Sequence, residues 1–294
     1  MSDETEPAPF HNDPRRFLEA LRLVESATGF SARLIEKDYY CSVSLRDFDA
    51  LFRAGLVFKG GTSLSKVHVE FFRLSEDLDF SVSVSPTASR GARRTAAGAF
   101  KSHFAGVPDR LECFQIAEAL AGHHDSRQYR ARLAYRSAVT GEDEFLKIDV
   151  ALREEVLVPA VDLPARTLLY DPITRAAVFA PFNVRVLTLR EAYAEKVRAA
   201  LTRRDPAIRD FFDVDNAVQS DRLQLFDQGF IELVRGKLAV TQDPIDTSAG
   251  KRGLLTAQLD TQLKPVLRVA DFDTFVLERV FTALAVVAAR CQSG

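Results

Sequence analysis

The sequence predicts an α/β (α+β) chain: a mixed sheet with flanking helices, followed by a C-terminal helical bundle. Two observations predict it. Up to about residue 150, runs of alternating apolar and polar residues are separated by turn residues. After Val186, capped amphipathic segments follow one another to the end.

The elements follow in order. Residues 1–12 are polar and acidic and read as a disordered lead-in. Asp13-Pro14 opens a helix, with Asp as N-cap and Pro at the first helical position, and Gly29 ends it. Ser31 starts a second helix through Ile35-Glu36-Lys37-Asp38-Tyr39-Tyr40. Leu56 to Lys59 is a short strand, and Thr62 caps a helix to about Phe72. From Asp77 to Val84 the alternation is that of a strand, with Leu78, Phe80, Val82 and Val84 on one side and Asp77, Asp79, Ser81 and Ser83 on the other. A basic, Ala-rich helix spans about Pro86 to Phe104. Gln128 to Ser137 and Phe145 to Leu152 bracket the turn Thr140-Gly141-Glu142-Asp143 as a hairpin. The Pro-punctuated stretch after it reads as irregular connection with a possible short strand. Thr188 and Glu191 form a capping box that opens a helix to about Arg204, and Asp205-Pro206 opens the next. The expected division is 13–170 for the sheet-bearing domain with its N-terminal helices and 171–294 for the helical domain.

Composition narrows the class. At 47% hydrophobic and 27% charged residues, a sizeable core and a soluble protein are expected. No apolar run reaches the roughly 20 residues that span a bilayer, and the N-terminus carries no secretion pattern, so the expected location is cytoplasmic. Cys41, Cys113 and Cys291 are isolated, which argues against a thiolate zinc site. A net charge of −2 excludes a uniformly basic nucleic-acid binder but leaves local patches: Arg90, Arg93, Arg94 and Lys101; Arg130, Arg132 and Arg136 on one strand face; Arg198, Arg203 and Arg204.

The chemistry-bearing stretch is FKGGTSLSKVHVEFFRLSEDLDFSV, Phe58 to Val82. In a strand, Asp77 and Asp79 point the same way about 7 Å apart at ~3.3 Å per residue. Two like charges on one face raise each other's pKa unless a cation sits between them, and hard oxygen ligands of this kind suit Mg²⁺. A bare Asp-x-Asp also fits a harmless solvent-facing strand. Gly60-Gly61-Thr62-Ser63 joins a strand to a helix and offers unpaired N–H groups to an anion, although it equally fits an ordinary tight turn and lacks the spacing of a Walker A loop. Asp149 faces opposite to Ile148 and Val150, and reads either as a charged residue near a strand end or as the ligand that completes a two-metal pair for in-line phosphoryl displacement. Lys196 shares a helical stripe with Leu189, Ala192, Tyr193 and Ala200, so it either snorkels or reaches a triphosphate. Asp210 and Asp213 share a face of the next helix, either as a surface pair or with Asp210 orienting Lys196 or a nucleobase. Arg73 and Lys59 read either as charge against phosphate or as solvated cations.

Together, Ile35-Glu36-Lys37-Asp38-Tyr39-Tyr40, Gly60-Gly61-Thr62-Ser63, Arg73-Leu-Ser75-Glu-Asp77-Leu-Asp79-Phe80, Lys147-Ile-Asp149-Val150, Glu195-Lys196-x-Arg198-Ala199 and Arg209-Asp210-Phe-Phe-Asp213 resemble the AbiEii/AbiGii toxin family of the DNA polymerase β-type nucleotidyltransferase superfamily, over about residues 30–220. The resemblance implies a nucleotidyltransferase-type sheet and transfer of a nucleoside monophosphate from an NTP to an acceptor hydroxyl. In MenT-type relatives that acceptor is the tRNA 3′ end. It further implies Asp77, Asp79 and Asp149 as ligands of two Mg²⁺ ions, and Gly60, Gly61, Thr62, Ser63 and Lys196 as the NTP grip, with either Thr62 or, in preference, Ser63 turning its hydroxyl to phosphate. Lys196 and Asp210 join the catalytic set. Arg130, Arg132 and Arg136 would meet RNA, and a cognate antitoxin would restrain the enzyme. Ser75, directly before the acidic pair, is a candidate regulatory phosphosite. A protein or small-molecule acceptor, or a non-catalytic nucleotide- or antitoxin-binding scaffold, are the competing readings.

Overall fold

A computed structural model describes residues 9–85, 87–152, 156–241 and 243–293 of the chain. Most of the 1–12 lead-in therefore lies outside the described residues; Phe10–Asn12 forms one 3-10 turn. Helix α1 (Pro14–Thr28) begins as expected, with Asp13 accepting the Arg16 N–H and Gly29 closing it at φ 78°. Helix α2 (Ala32–Asp47) follows, then the short α3 (Asp49–Arg53), strand β1 (Leu56–Lys59) and the single turn α4 (Gly60–Ser63). Strand β2 is Asp77–Val82, ahead of helices α5 (Arg90–Ala96), α6 (Gly98–Ala105) and α7 (Val107–Arg110). Strands β3 (Gln115–His123), β4 (Gln128–Arg136), β5 (Asp143–Ala151), β6 (Val161–Ala165) and β7 (Phe182–Val186) complete the sheet. Helices α8 (Leu189–Thr202), α9 (Ile208–Gln219), α10 (Gln228–Thr241), α11 (Ala249–Thr256), α12 (Val269–Thr274) and α13 (Leu277–Gln292) make the helical part.

The expected architecture holds: one seven-stranded mixed sheet, in the order β3-β4-β5-β2-β1-β7-β6, with helices around it and a helical C-terminal part. Three local expectations differ. The helix after β1 starts at Gly60 rather than at a Thr62 cap, and it ends in a π turn at His68, because Glu70 and Phe71 turn to positive φ. The basic helix is two pieces joined at Ala97, and Pro86 lies outside the described residues. Strands β3 and β7 had no clear signal in the sequence. β7 runs parallel to β1, Phe58 beside Val186, so the sheet continues past residue 170.

Period-two alternation fixes which side of the sheet does chemistry. Phe58, Leu78, Phe80, Ile148 and Val150 are buried toward one side, and the Phe58 and Phe80 rings lie 5.4 Å apart. Their alternates Lys59, Asp79 and Asp149 face the other way. Behind the core, three consecutive residues of α2 pin separate parts of the frame. Glu36 accepts from the Ser137 hydroxyl at 2.5 Å and the Ala138 N–H at 2.6 Å, holding the β4–β5 turn. Lys37 pairs with Glu76 at 2.8 Å, one residue before β2. Asp38 takes buried Lys66 at 2.6 Å and the Leu168 N–H at 3.2 Å. The Glu36-Lys37-Asp38 run is thus a framework device.

Candidate active site

Strand register gathers four charged residues into one row across four strands. Lys59 on β1 lies opposite Asp79 on β2, Asp79 lies beside Asp149 on β5, and Asp149 lies opposite Arg130 on β4. Directly paired residues share a sheet face. The row reads cation, carboxylate, carboxylate, cation, and all four line one cavity of about 880 Å³. Asp77 sits one step back on the same face, beside Lys147, and is not among the cavity-lining residues.

Burial pushes the Asp79 carboxyl up, and repulsion from Asp77 and Asp149 adds to it. Lys59 and Lys196 pull against this, and the balance is a pKa of about 6. Asp149 is held by the Gln128 amide and by the Arg130 guanidinium at 3.3 Å.

The turn before the row is built around Asp79. Gly60 has φ 77°, and a Cβ there would collide with the Asp79 carboxylate. Thr62 is buried, and its hydroxyl donates to the Asp77 carbonyl at 2.5 Å, fastening the turn to β2. The expectation that Ser63 turns its hydroxyl to phosphate is corrected: Ser63 is fully buried and donates to the Gly60 carbonyl at 2.9 Å. Of these four turn residues only Gly60 lines the cavity. A Cβ on Gly61 would press on Arg73 at 2.5 Å and on the Ser75 hydroxyl at 2.9 Å, so half-buried Ser75 packs behind the turn.

The helical part supplies the opposite wall. Lys196 on α8 lies 2.7 Å from Asp210 and 3.0 Å from Asp213, both on α9. Arg203 reaches Asp210 from its other side at 2.9 Å. Burial alone would raise the Asp210 carboxyl, but Lys196 and Arg203 overcome it and bring it to about 2. Arg73 is not a solvated cation: it is buried and grips Asp213 with two guanidinium nitrogens, Nη2 at 2.7 Å. Phe72 stacks on Phe212 at 6.0 Å next to it, so residues 72–73 meet 212–213 as a paired contact between sheet and bundle.

The three strand arginines divide. Arg130 is on the cavity wall; Arg132 pairs with Glu118 at 2.8 Å, and Arg136 with Asp143 at 3.3 Å, farther along β4. Gln128 and the Arg73–Asp213 bridge escaped the sequence reading. A buried role for Arg73 had one signal, an arginine set between Phe71-Phe72 and Leu74.

Among the described residues no group of three or more His, Cys, Asp or Glu side chains stands ready as a metal cage. The donor chemistry nevertheless fits a hard divalent cation: Asp77, Asp79 and Asp149 are all oxygen donors on one sheet face, and their mutual repulsion is what a cation would relieve.

A family model described as "Nucleotidyl transferase AbiEii toxin, Type IV TA system" matches residues 44–280, which contain every residue of the row. The chain belongs to the AbiEii nucleotidyltransferase family. Glu36, Lys37 and Asp38 precede the matched region. Among solved structures, the chain is similar to JHP933 from Helicobacter pylori at 15% identity and a TM-score of 0.50, covering 90% of this chain and 94% of that one. A second H. pylori protein, assigned as a nucleotidyltransferase, gives 16% identity and a TM-score of 0.50 over 90% and 96%. These likenesses speak for the fold. No curated protein matches. AbiEii membership makes the chain a nucleotide-transferring enzyme of the toxin–antitoxin type, and no helix among the described residues is long and apolar enough to cross a membrane.

Proposed function

We propose that this AbiEii-family enzyme transfers a nucleoside monophosphate from an NTP to a hydroxyl of RNA, with the tRNA 3′ end as acceptor, and thereby blocks translation until a cognate antitoxin restrains it in the cytoplasm. The observation that carries the reading is the row Lys59–Asp79–Asp149–Arg130 on one cavity wall, facing Lys196. Asp77, Asp79 and Asp149 would hold Mg²⁺, in a two-ion arrangement, which supplies charge neutralisation at the α-phosphate and a more acidic acceptor hydroxyl.

The chain's own residues do the rest. Gly60 lets the turn close against Asp79 and would offer its backbone to the triphosphate, while Thr62 and Ser63 hold the turn from behind. Asp210 keeps Lys196 aimed into the cavity. The acceptor oxygen bonds to the α-phosphorus, the bond from that phosphorus to the β-bridging oxygen breaks, pyrophosphate leaves with the electron pair, and the hydroxyl proton goes to solvent. Arg130, Arg132 and Arg136 lie along one strand face where an RNA backbone would meet them. Phosphate on Ser75 would bring roughly two negative charges beside the Asp77–Asp79 strand and switch the site off. Mass spectrometry of the chain co-expressed with its genomic neighbour checks that proposal, and Ser75 found always unmodified removes it.

The central experiment incubates the protein with labelled NTPs, Mg²⁺ and total RNA. Label should enter RNA of tRNA length and be absent with Asp79→Ala, a loss of at least about 10³-fold for removal of a group at the reacting centre. Labelled protein or small molecules would move the acceptor to the competing reading; no label anywhere would leave a nucleotide- or antitoxin-binding scaffold.

A further inference from the structure

Two side chains hold the Asp149 carboxylate, a neutral amide and a cation, and both take the same oxygen. Gln128 donates from Nε2 to Oδ2, and Arg130 Nε reaches Oδ2 at 3.3 Å. Among the described residues no hydrogen bond ends on the other oxygen, Oδ1. The amide cannot be turned round without loss. Its own oxygen accepts from Arg130 Nη2 at 3.3 Å, so its NH₂ faces Asp149. The two holders differ in enclosure: Gln128 is 8% exposed, whereas the Arg130 side chain is 55% exposed. An exposed charge pair is weak and screened by salt, so the buried amide is the firmer hold. A neutral donor also fixes the carboxylate without cancelling its charge.

The sheet and one strained turn bring this about. Arg130 lies opposite Asp149, and Gln128, two residues earlier on β4, shares its face and meets Asp149 on the diagonal. The turn before β4 holds His124, Asp125 and Ser126 at φ of 48°, 55° and 61°, three left-handed residues in a row without a glycine. L-residues take up that conformation at a cost, and it persists where the surroundings impose it. Here buried Arg93 donates from Nε to the Asp125 carbonyl at 3.2 Å and from Nη1 to the Ala88 carbonyl at 2.6 Å. The Arg127 carbonyl takes the Leu152 N–H at 2.8 Å, which ties the turn to the end of β5. Gln128, the first residue of β4, is thereby delivered onto Asp149.

Building on the reading in which Asp149 helps to hold a divalent cation, we infer that Gln128 is the positioning residue of Asp149. It occupies Oδ2 and leaves Oδ1 as the single oxygen offered to the cation. The two holders then act on cation binding with opposite sign. Gln128 favours it by orientation, and Arg130 opposes it by charge.

The test titrates Mn²⁺, a paramagnetic stand-in for Mg²⁺, into the full chain and reads free ion by electron paramagnetic resonance, with no acceptor and no turnover. Wild type should bind Mn²⁺. Gln128→Met keeps the length of the side chain and drops the donor. It should weaken binding by roughly tenfold to a hundredfold, the cost of removing a group that orients a metal ligand. Arg130→Met should leave binding unchanged or tighter, because it removes a positive charge from beside the same oxygen. In an Asp149→Asn background, Gln128→Met should add less than about twofold, since its effect runs through Asp149. Raised Mn²⁺ should restore label transfer to Gln128→Met, a rescue that a merely structural role would not show. If Gln128→Met proves unfolded by circular dichroism, Gln128→Asn, one methylene too short for the contact, carries the same expectation. The inference fails if Gln128→Met binds Mn²⁺ within about twofold of wild type, or if its loss is as large in the Asp149→Asn background. Wild type that binds no Mn²⁺, alone or with an NTP, would overturn the metal-dependent reading together with the inference.

Discussion

Asp79 and Asp210 line the same cavity and are driven in opposite directions. Asp79, on the sheet, has two carboxylate neighbours and rises to about 6. Asp210, on the bundle, has Lys196 and Arg203 and falls to about 2. Both are penalised by burial; the neighbours decide the sign. The sheet wall is therefore electrostatically unsatisfied and ready for an added cation, while the bundle wall is satisfied within the chain. One wall is built to receive charge, and the other holds its own lysine in a fixed place.

The satisfied wall should be where substitutions damage the fold most. Arg73→Ala leaves Asp213 buried beside Lys196 and removes one of the contacts that join sheet to bundle. Breaking one side of a buried pair costs about 3–5 kcal/mol. Urea unfolding that shows under about 1 kcal/mol would break the comparison, since the bridge would then be incidental. Asp210→Asn should cost about 2–3 kcal/mol at neutral pH. Its folded pKa is depressed, so its contribution is present above the unfolded carboxylate range near pH 4 and lost as pH falls through about 2. The variant should accordingly lose the steep acid limb of stability between pH 4 and 2.

The unsatisfied wall should behave in the reverse sense. Asp79 has a raised folded pKa, so its favourable contribution is present below about pH 4 and lost as pH rises through about 6. Asp79→Asn should abolish transfer and yet stabilise the ligand-free protein by about 1–3 kcal/mol at pH 8, with little gain at pH 4. Magnesium should raise the melting temperature of wild type at pH 8 and leave that of Asp79→Asn nearly unmoved, because a ligand stabilises only the state it binds. A variant destabilised equally at both pH values would show that Asp79 is satisfied after all.

Much of this contrast was legible in the sequence. Period-two alternation put Asp77, Asp79 and Asp149 opposite an apolar side, and helical spacing set Asp210 and Asp213 on one face, where both meet Lys196. Register was not legible, because it depends on which strands become neighbours; that Lys59, Asp79, Asp149 and Arg130 form one row follows from the order β4-β5-β2-β1. Ser63 was misplaced for a local reason: the helix starts at Gly60, which rotates the hydroxyl inward. β3 stayed hidden because its Ala- and Gly-bearing sequence is mostly exposed and lacks the apolar alternation of a half-buried strand. β7 follows a long irregular connection and is recruited by β1 through distant pairing.

The smallest expected effect sharpens where the receptive wall ends. Arg136 and Asp143 form an exposed pair, with side chains 71% and 62% accessible. Such pairs are worth roughly 0–1 kcal/mol, so Arg136→Ala should leave the unfolding midpoint almost unchanged. If RNA lies along β4, the same substitution should reduce the salt dependence of RNA binding by about one ion's worth of slope and weaken binding uniformly across sequences. Arg130→Ala should do more, because it also frees one side of Asp149. Filter binding over a range of salt separates the cases. Equal slopes for wild type and Arg136→Ala would confine the acceptor to the cavity mouth at Arg130, and the outer arginines would then be ordinary cross-strand pairs.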